Sequence, residues 1–236
     1  MRRSNRPIAQ SLVSSKLSTS TFHCSAILFD LDGVLLDSTR VVAHQYTIWA
    51  QENGLDPALV LQSAHGVRTV EVVRRVAPHL DAEAETRKIE LREAAATNMA
   101  AMPGAVELVN SIPKGRWCVV TSGTRFLATT RMGRFGIPIP QILVTAEDVK
   151  KGKPDPEPYR RGAELLGVIP AECIVVEDAP AGIRAGHAAG MRVISLPSTC
   201  PVEELREADA IVAGLPMIKV SLDGTGGEGP LLLTLR

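Results

Sequence analysis

The sequence predicts an α/β protein: a parallel sheet core interrupted early by an inserted helical domain. Three observations predict it. Short aliphatic runs recur along the chain and are continuous rather than alternating, the pattern of strands buried on both faces of a sheet. Helical-length segments separate most of these runs. Between Asp37 and about Ala101 the texture changes, as strand candidates thin out and helix-forming stretches follow one another.

The first 25 residues hold Arg2, Arg3, Arg6 and Lys16 and no acid. Residues 1–24 are expected to be a disordered extension, although a Ser- and Arg-rich composition is also that of a cleaved targeting segment. Ala26–Phe29 is the first strand. "STRVVAHQYTIWAQENG", "VRTVEVVRRVAPHL" and "DAEAETRKIELREAAATNMA" follow as helices, the last densely charged with Ile89 and Leu91 set into it. Pro103 and Gly104 mark the return to the α/β pattern. Strands are then expected at Trp117–Thr121, Ile142–Val144, Cys173–Glu177, Arg192–Leu196 and Ala210–Val212, with helices at Pro156–Leu166 and Ala181–Ala189. The glycine-rich "DGTGGEGP" reads as a flexible linker or tail. The chain thus divides into a core of residues 25–36 and 102–220, a helical insertion over 37–101, and a C-terminal tail over 221–236.

Composition narrows the function. The 236 residues are 45% hydrophobic and 22% charged, ordinary for a protein with a substantial core. Formal net charge is zero, so no global field draws nucleic acid or anionic membranes. Aromatics are only 3%, too few for base-stacking platforms. Cys24, Cys118, Cys173 and Cys200 are scattered without a CxxC pair, which points to buried thiols in a reducing cytoplasm rather than a disulfide or zinc framework. No run approaches the length of a membrane helix.

Asp30 and Asp32 follow the first strand in "AILFDLDGVLLDS". Residues two apart on an extended segment point the same way, so both carboxylates can face one site. Open α/β sheets bind ligands beyond the carboxyl ends of their strands, where Asp30 falls. Neighbouring carboxylates repel unless a cation intervenes, and a hard ion such as Mg²⁺ would both relieve that and neutralise a phosphate. Taken alone, the pair is equally a polar strand end. "VVTSGTR" offers Thr121, Ser122 and Gly123, whose hydroxyls and open N–H groups can seat a phosphate; a helix N-cap is their commoner use. In "KKGKPDPEPY" the prolines after Lys153 stiffen the chain, turning one lysine of a solvated run into a held ammonium. "CIVVEDAPAGIRAGHAAG" brings Glu177 and Asp178 to the same sheet edge as Asp30. Its Gly182, Ala185, Gly186, Ala189 stripe lets a helix approach the sheet, and His187 reads as an ordinary helix residue.

In this order, DLDGV, TSGT, KGKPDP and VEDAPAG resemble the four motifs of the haloacid-dehalogenase-like phosphohydrolase superfamily, over Ala26 to Leu196. The resemblance implies a Rossmann-like parallel sheet core with an inserted α-helical cap domain. "HGVRTVEVVRR", "MPGAVELVN" and "EDAPAGIRAGHAAG" most resemble the branch with glycerol-phosphate and 2-deoxyglucose-6-phosphate phosphatases. It implies a Mg²⁺-dependent phosphatase acting on a small sugar or polyol phosphate. Asp30 would be the nucleophile that forms an aspartyl-phosphate, and Asp32 the general acid and then base. Thr121, the N–H groups of Ser122 and Gly123, and Lys153 would hold the phosphoryl oxygens. Asp30, the backbone carbonyl of Asp32, and Asp178 would bind Mg²⁺, with Glu177 assisting directly or through water. From the insertion, His65 and Arg68 are either cap groups reaching the closed site or surface charge. Trp49, on a helix with His44 and Tyr46, reads as core packing.

A phosphosugar mutase shares the aspartyl-phosphate chemistry, and a phosphoglycolate-type phosphatase is a further alternative. Familiar mutases differ from this chain after the second motif and in the cap loop, where Arg68 is slightly out of register, and this favours hydrolysis. Dehalogenases generally lack an acid at the position of Asp32, because halide needs no proton to leave. A non-catalytic binding module would not be expected to retain the full polar set. The expected partner is a small phosphorylated metabolite, without nucleic acid or membrane, met by a cytoplasmic monomer or weak dimer.

Overall fold

A computed structural model of the chain describes residues 20–223 and 229–236. Strands β1 (Thr21–Cys24) and β2 (Ala26–Phe29) lead to β3 (Leu36–Asp37), where the chain leaves the core. Helices α1 (Thr39–Glu52), α2 (Pro57–Ala64), α3 (Thr69–Val76) and α4 (Ala82–Ala95) follow, and β4 (Ala100–Ala101) returns antiparallel to β3. The core continues through α5 (Ala105–Ser111), β5 (Trp117–Val120), α6 (Arg125–Arg134) and β6 (Leu143–Val144). Next come α7 (Glu157–Leu166), β7 (Cys173–Glu177), α8 (Pro180–Ala188), β8 (Arg192–Ser195) and β9 (Ala210–Ile211). Two longer strands close it, β10 (Ile218–Leu222) and β11 (Leu231–Leu235).

Six of these strands make one parallel sheet in the order β6-β5-β2-β7-β8-β9, the α/β core that the apolar runs predict. Strands β2, β5 and β7 are buried along their whole length, which is why their sequences do not alternate. Ile27 and Phe29 face a layer built with α5 and α6; Ala26 and Leu28 face the opposite layer, with Tyr159 and Ala163 of α7 and Ile183 of α8. Phe29 pairs with Val119 on one side and Val176 on the other. The next residue of each strand, Asp30, Val120 and Glu177, therefore lies at one level of the sheet edge. That register gathers motifs that are more than a hundred residues apart in the chain.

The helical insertion has its own core, including Trp49, Val60, Val72, Val73 and Ile89. Each fully buried aliphatic side chain there contributes about 1.5–3 kcal/mol relative to exposure. Trp49 is buried, and its Nε1 donates to Glu85 at 2.9 Å, a packing role. Asp56 and Asp81 cap α2 and α4, accepting from the N–H groups of Ala58 and Ala84. Such caps are worth about 0.5–2 kcal/mol each.

The C-terminal segment differs from expectation. Residues 231–235 are not a tail: β11 pairs antiparallel with both β1 and β10 in a second sheet of order β1-β11-β10. Leu231, Leu233 and Leu235 alternate onto the buried layer beneath, so the strand is held by burial and by ladders on both edges. Thr21–Cys24, expected within the disordered extension, is the other edge of that sheet. Residues 1–19 and the glycine-rich 224–228 lie outside the described residues. All four cysteines are free and buried. Among the described residues no helix is long and apolar enough to cross a membrane.

Candidate active site

The site lies at the carboxyl ends of β2, β5 and β7. Asp30 directly follows β2, and its backbone N–H extends the ladder to the carbonyl of Val176 at 3.0 Å. Lys153 comes from the loop before α7. Its Nζ is buried among acceptors: it donates to Asp30 Oδ1, to the Val120 carbonyl at 3.1 Å and to Glu177 Oε1 at 2.7 Å. Tyr159 Oη donates to the same Glu177 oxygen at 2.7 Å. Glu177 Oε2 in turn accepts from the N–H groups of Asp178 and Ala179. Gly182 makes this possible, because a Cβ there would lie 1.7 Å from Glu177 Oε1.

Asp178 points to the other side of the loop. Its Oδ2 accepts from Thr199 Oγ1 and, at 3.4 Å, from Ser198 Oγ. Gly33, at φ +82°, lets the turn after Asp32 approach it; a Cβ at Gly33 would lie 1.9 Å from that oxygen. Burial is the first cause that raises Asp30, to about 7, with Glu177 and Asp32 adding to it against Lys153. Burial, with repulsion from Glu177 and Asp30, also pushes Asp178 well above the usual carboxylate range.

This donor set suits a hard divalent cation. Three buried carboxyl groups, Asp30, Glu177 and Asp178, surround a single ammonium, so the protein alone leaves negative charge unmatched. Among the described residues no three acidic, His or Cys side chains form a ready metal cage. Mg²⁺ keeps several waters and takes one or two carboxylates plus substrate oxygens. Asp30 and Asp178 line the cleft, and Glu177 does not. Glu177 sits behind Lys153: its two oxygens accept from Lys153, Tyr159 and two backbone N–H groups.

Around Asp32 the structure shows partners that the motifs did not reveal. Asp32 Oδ1 accepts from Ser38 Oγ at 2.6 Å and from Arg131 Nη1 at 2.6 Å. Arg131, on α6, also donates through Nη2 to Glu93 of α4 at 2.9 Å. Burial first, then repulsion from Asp32 and Glu90, raises Glu93 to about 7 despite Arg131. A pattern in the sequence could have found both residues. Arg131 shares the buried stripe of α6 with Leu127, Ala128 and Met132, and Glu93 shares that of α4 with Ile89, Glu90 and Ala94.

Thr121, Ser122 and Gly123 line the cleft opposite, but not all as expected. Ser122 gives its hydroxyl to the cap, donating to the Gly66 carbonyl at 2.8 Å, and the Gly123 N–H donates to Thr121 Oγ1 at 3.1 Å. His65 lines the cleft. Arg68 does not. Its guanidinium is held by Glu71 and by the carbonyls of Ala146, Val149 and Lys150, so it clamps the insertion onto the loop leading to Lys153. The enclosed cleft has a volume of about 110 Å³.

Residues 27–196 match the haloacid dehalogenase-like hydrolase family. The chain belongs to that family. Within these hydrolases it is 40% identical to hexitol phosphatase A of Escherichia coli over 209 residues, 86% of this chain and 97% of the relative. It is 36% identical to glycerol-1-phosphate phosphohydrolase 2 of Saccharomyces cerevisiae, over 83% of this chain and 84% of that protein. A solved hydrolase from Pseudomonas syringae superposes with a TM-score of 0.70 at 25% identity, over 81% of this chain and 94% of its own.

Proposed function

We propose that this haloacid dehalogenase-like hydrolase cleaves the phosphate monoester of a small sugar or polyol, with Asp30 as nucleophile. The observation that carries the reading is the buried contact of Asp30 with Lys153 at the sheet edge, facing Thr121 and Asp178 across one cleft. A carboxylate held beside an ammonium is placed to attack phosphorus, and the ammonium then stays beside the phosphoryl oxygens.

The steps balance on the chain's own groups. An oxygen of Asp30 forms a bond to phosphorus while the ester P–O bond breaks, giving an aspartyl-phosphate and an alcohol. Asp32 donates the proton that the departing alkoxide takes. Asp32 then accepts a proton from water as that water attacks the acyl phosphate, which releases inorganic phosphate and restores Asp30. Ser38 and Arg131 both reach Asp32 Oδ1, leaving Oδ2 for the proton. Thr121 and the Ser122 N–H hold the phosphoryl oxygens, and the Gly123 N–H would join them by releasing Thr121 Oγ1. Asp30, Asp178 and the Asp32 carbonyl would hold Mg²⁺, whose charge, when it is bound, offsets that of the phosphoryl group.

The insertion is held over this edge by the Ser122–Gly66 hydrogen bond and the Arg68 clamp, where it can limit the access of water to the leaving-group side. The substrate class is supported by relatives whose names give hexitol and glycerol-1-phosphate as substrates. Both are phosphatases, which favours hydrolysis over mutase chemistry. The test is phosphate release from glycerol 1-phosphate and glucitol 6-phosphate by the full chain with Mg²⁺. Turnover by the wild type and none by Asp30→Asn is expected. Turnover surviving Asp30→Asn would overturn the nucleophile, and isomerisation of glucose 1-phosphate without phosphate release would overturn hydrolysis.

A further inference from the structure

One group in the cleft is not explained by phosphoryl transfer. Arg131 is 2% exposed and yet lines the cavity, on the side away from Lys153. A buried guanidinium beside a substrate cleft ordinarily marks a seat for an anion, because it cannot shed its charge. Here the charge is already met. Nη1 donates to Asp32 and Nη2 to Glu93, so two carboxylates converge on one guanidinium. The other acids lining the cleft, Asp30 and Asp178, belong to the phosphate end. Among the described residues lining the cleft, Arg131 is the one guanidinium and its charge is already met, with His65 the remaining basic group; a carboxylate placed beside Arg131 would meet Asp32 and Glu93 at close range.

A neutral hydroxyl meets different conditions. Arg131 Nε is buried and has no hydrogen-bond partner among the described residues. A buried donor without an acceptor is costly to leave so, and a substrate oxygen can satisfy it. The same hydroxyl can give its hydrogen to a carboxylate oxygen of Glu93 without adding charge. Tyr46 and Thr69, from the insertion, line the same half of the cleft and add hydroxyls to this surface.

We propose that Arg131 and Glu93 are the specificity-determining pair of this cleft, selecting a leaving group that presents neutral hydroxyls and rejecting one that presents a carboxylate. The proposal rests on the monoester-hydrolase reading above. It assigns selectivity to a contact between a core helix and the insertion rather than to the insertion alone.

The experiment compares kcat/KM of the full chain with Mg²⁺ on two matched pairs: glucitol 6-phosphate against 6-phosphogluconate, and glycerol 1-phosphate against phosphoglycolate. The first pair differs only in a hydroxymethyl group where the other has a carboxylate. The wild type is expected to favour the polyol of each pair by about a hundredfold. Assayed above about pH 7, where Glu93 is ionised, Glu93→Gln removes one of the two charges facing the guanidinium and is expected to narrow that ratio about tenfold. Arg131→Lys keeps the charge but removes Nε, and is expected to raise KM for the polyols. Equal or better turnover of the carboxylates by wild type would overturn the proposal without touching the hydrolase reading, and so would an unchanged ratio in both variants. The wild-type comparison stands even if neither variant folds. Failure to hydrolyse any of the four esters or an aryl phosphate would instead overturn the hydrolase reading, and the proposal with it.

Discussion

Glu177 Oε1 lies 2.7 Å from Lys153 Nζ, with both side chains 1% exposed. The lysine that touches Asp30 is thus fixed from behind by a second carboxylate, itself fixed by Tyr159 and two backbone N–H groups. Glu177→Gln keeps the shape and removes the charge, leaving a buried ammonium with one fewer partner. Breaking a buried pair in this way costs about 3–5 kcal/mol of stability, and kcat is expected to fall about a hundredfold. Steady-state kinetics over a Mg²⁺ titration check it: an anchor for Lys153 predicts a loss that added Mg²⁺ does not restore, whereas a metal ligand predicts recovery.

Two glycines should respond in opposite directions to the same substitution. In Gly182→Ala the new methyl would meet the Glu177 carboxylate at 1.7 Å. Overpacking of this kind costs about 1–3 kcal/mol, and activity should fall with it. Gly133, in α6, has nothing within 4 Å of a built Cβ. Gly133→Ala should therefore gain up to about 1 kcal/mol of helix propensity. Thermal unfolding of the two variants decides this, with Tm falling for the first and rising for the second.

Arg68 links the insertion to three carbonyls of the loop before Lys153. Arg68→Ala should loosen closure without touching the phosphate groups. We expect kcat/KM for a polyol phosphate to fall about tenfold, and amide exchange to rise in residues 64–70 and 146–151. Arg68→Lys should resemble the alanine variant, because an ammonium cannot reproduce the planar fork. A kinetic loss without any change in exchange would return Arg68 to the substrate.

Glu93 carries a pH signature. Its carboxyl is raised from the ordinary value of 4.5 to about 7, with burial the largest cause. The fold favours the protonated form, so the unfolded chain loses the proton first as pH rises. Stability contributed by this group is complete below about 4.5 and declines until about 7. Glu93→Gln cannot titrate there. The Tm difference between variant and wild type should therefore move in the variant's favour across that window and stay flat above it. A difference moving the other way would mean that Arg131 holds the carboxylate ionised throughout.

The sheet and the polar residues gathered at its carboxyl edge were legible in the sequence because each depends on local pattern. Continuous apolar runs such as "AILF" and "CIVVE" announce strands buried on both faces, and polar residues immediately after them mark one edge. The contacts of Glu177 and Arg68 were not legible, since a carboxylate that binds a metal and one that accepts from a lysine have the same spacing. Arg131 and Glu93 were hidden for a related reason. Each sits in a charged helix that reads as solvated unless its position on the buried stripe is weighed above its charge. The strand at Leu231–Leu235 was missed because one partner, β1, lies at the opposite end of the chain, and the glycine-rich stretch between it and the other partner, β10, resembled a tail.

The central claim is that Asp30 is phosphorylated during turnover. Rapid acid quench of the full chain with Mg²⁺ and a hydrolysed polyol phosphate, followed by peptide mass spectrometry, tests it directly. One added phosphoryl group is expected on the peptide containing Asp30, absent in Asp30→Asn and accumulating when Asp32→Asn slows attack by water. Steady turnover with no phosphoryl group on that peptide at any quench time, or a phosphoryl group on another residue, would contradict it.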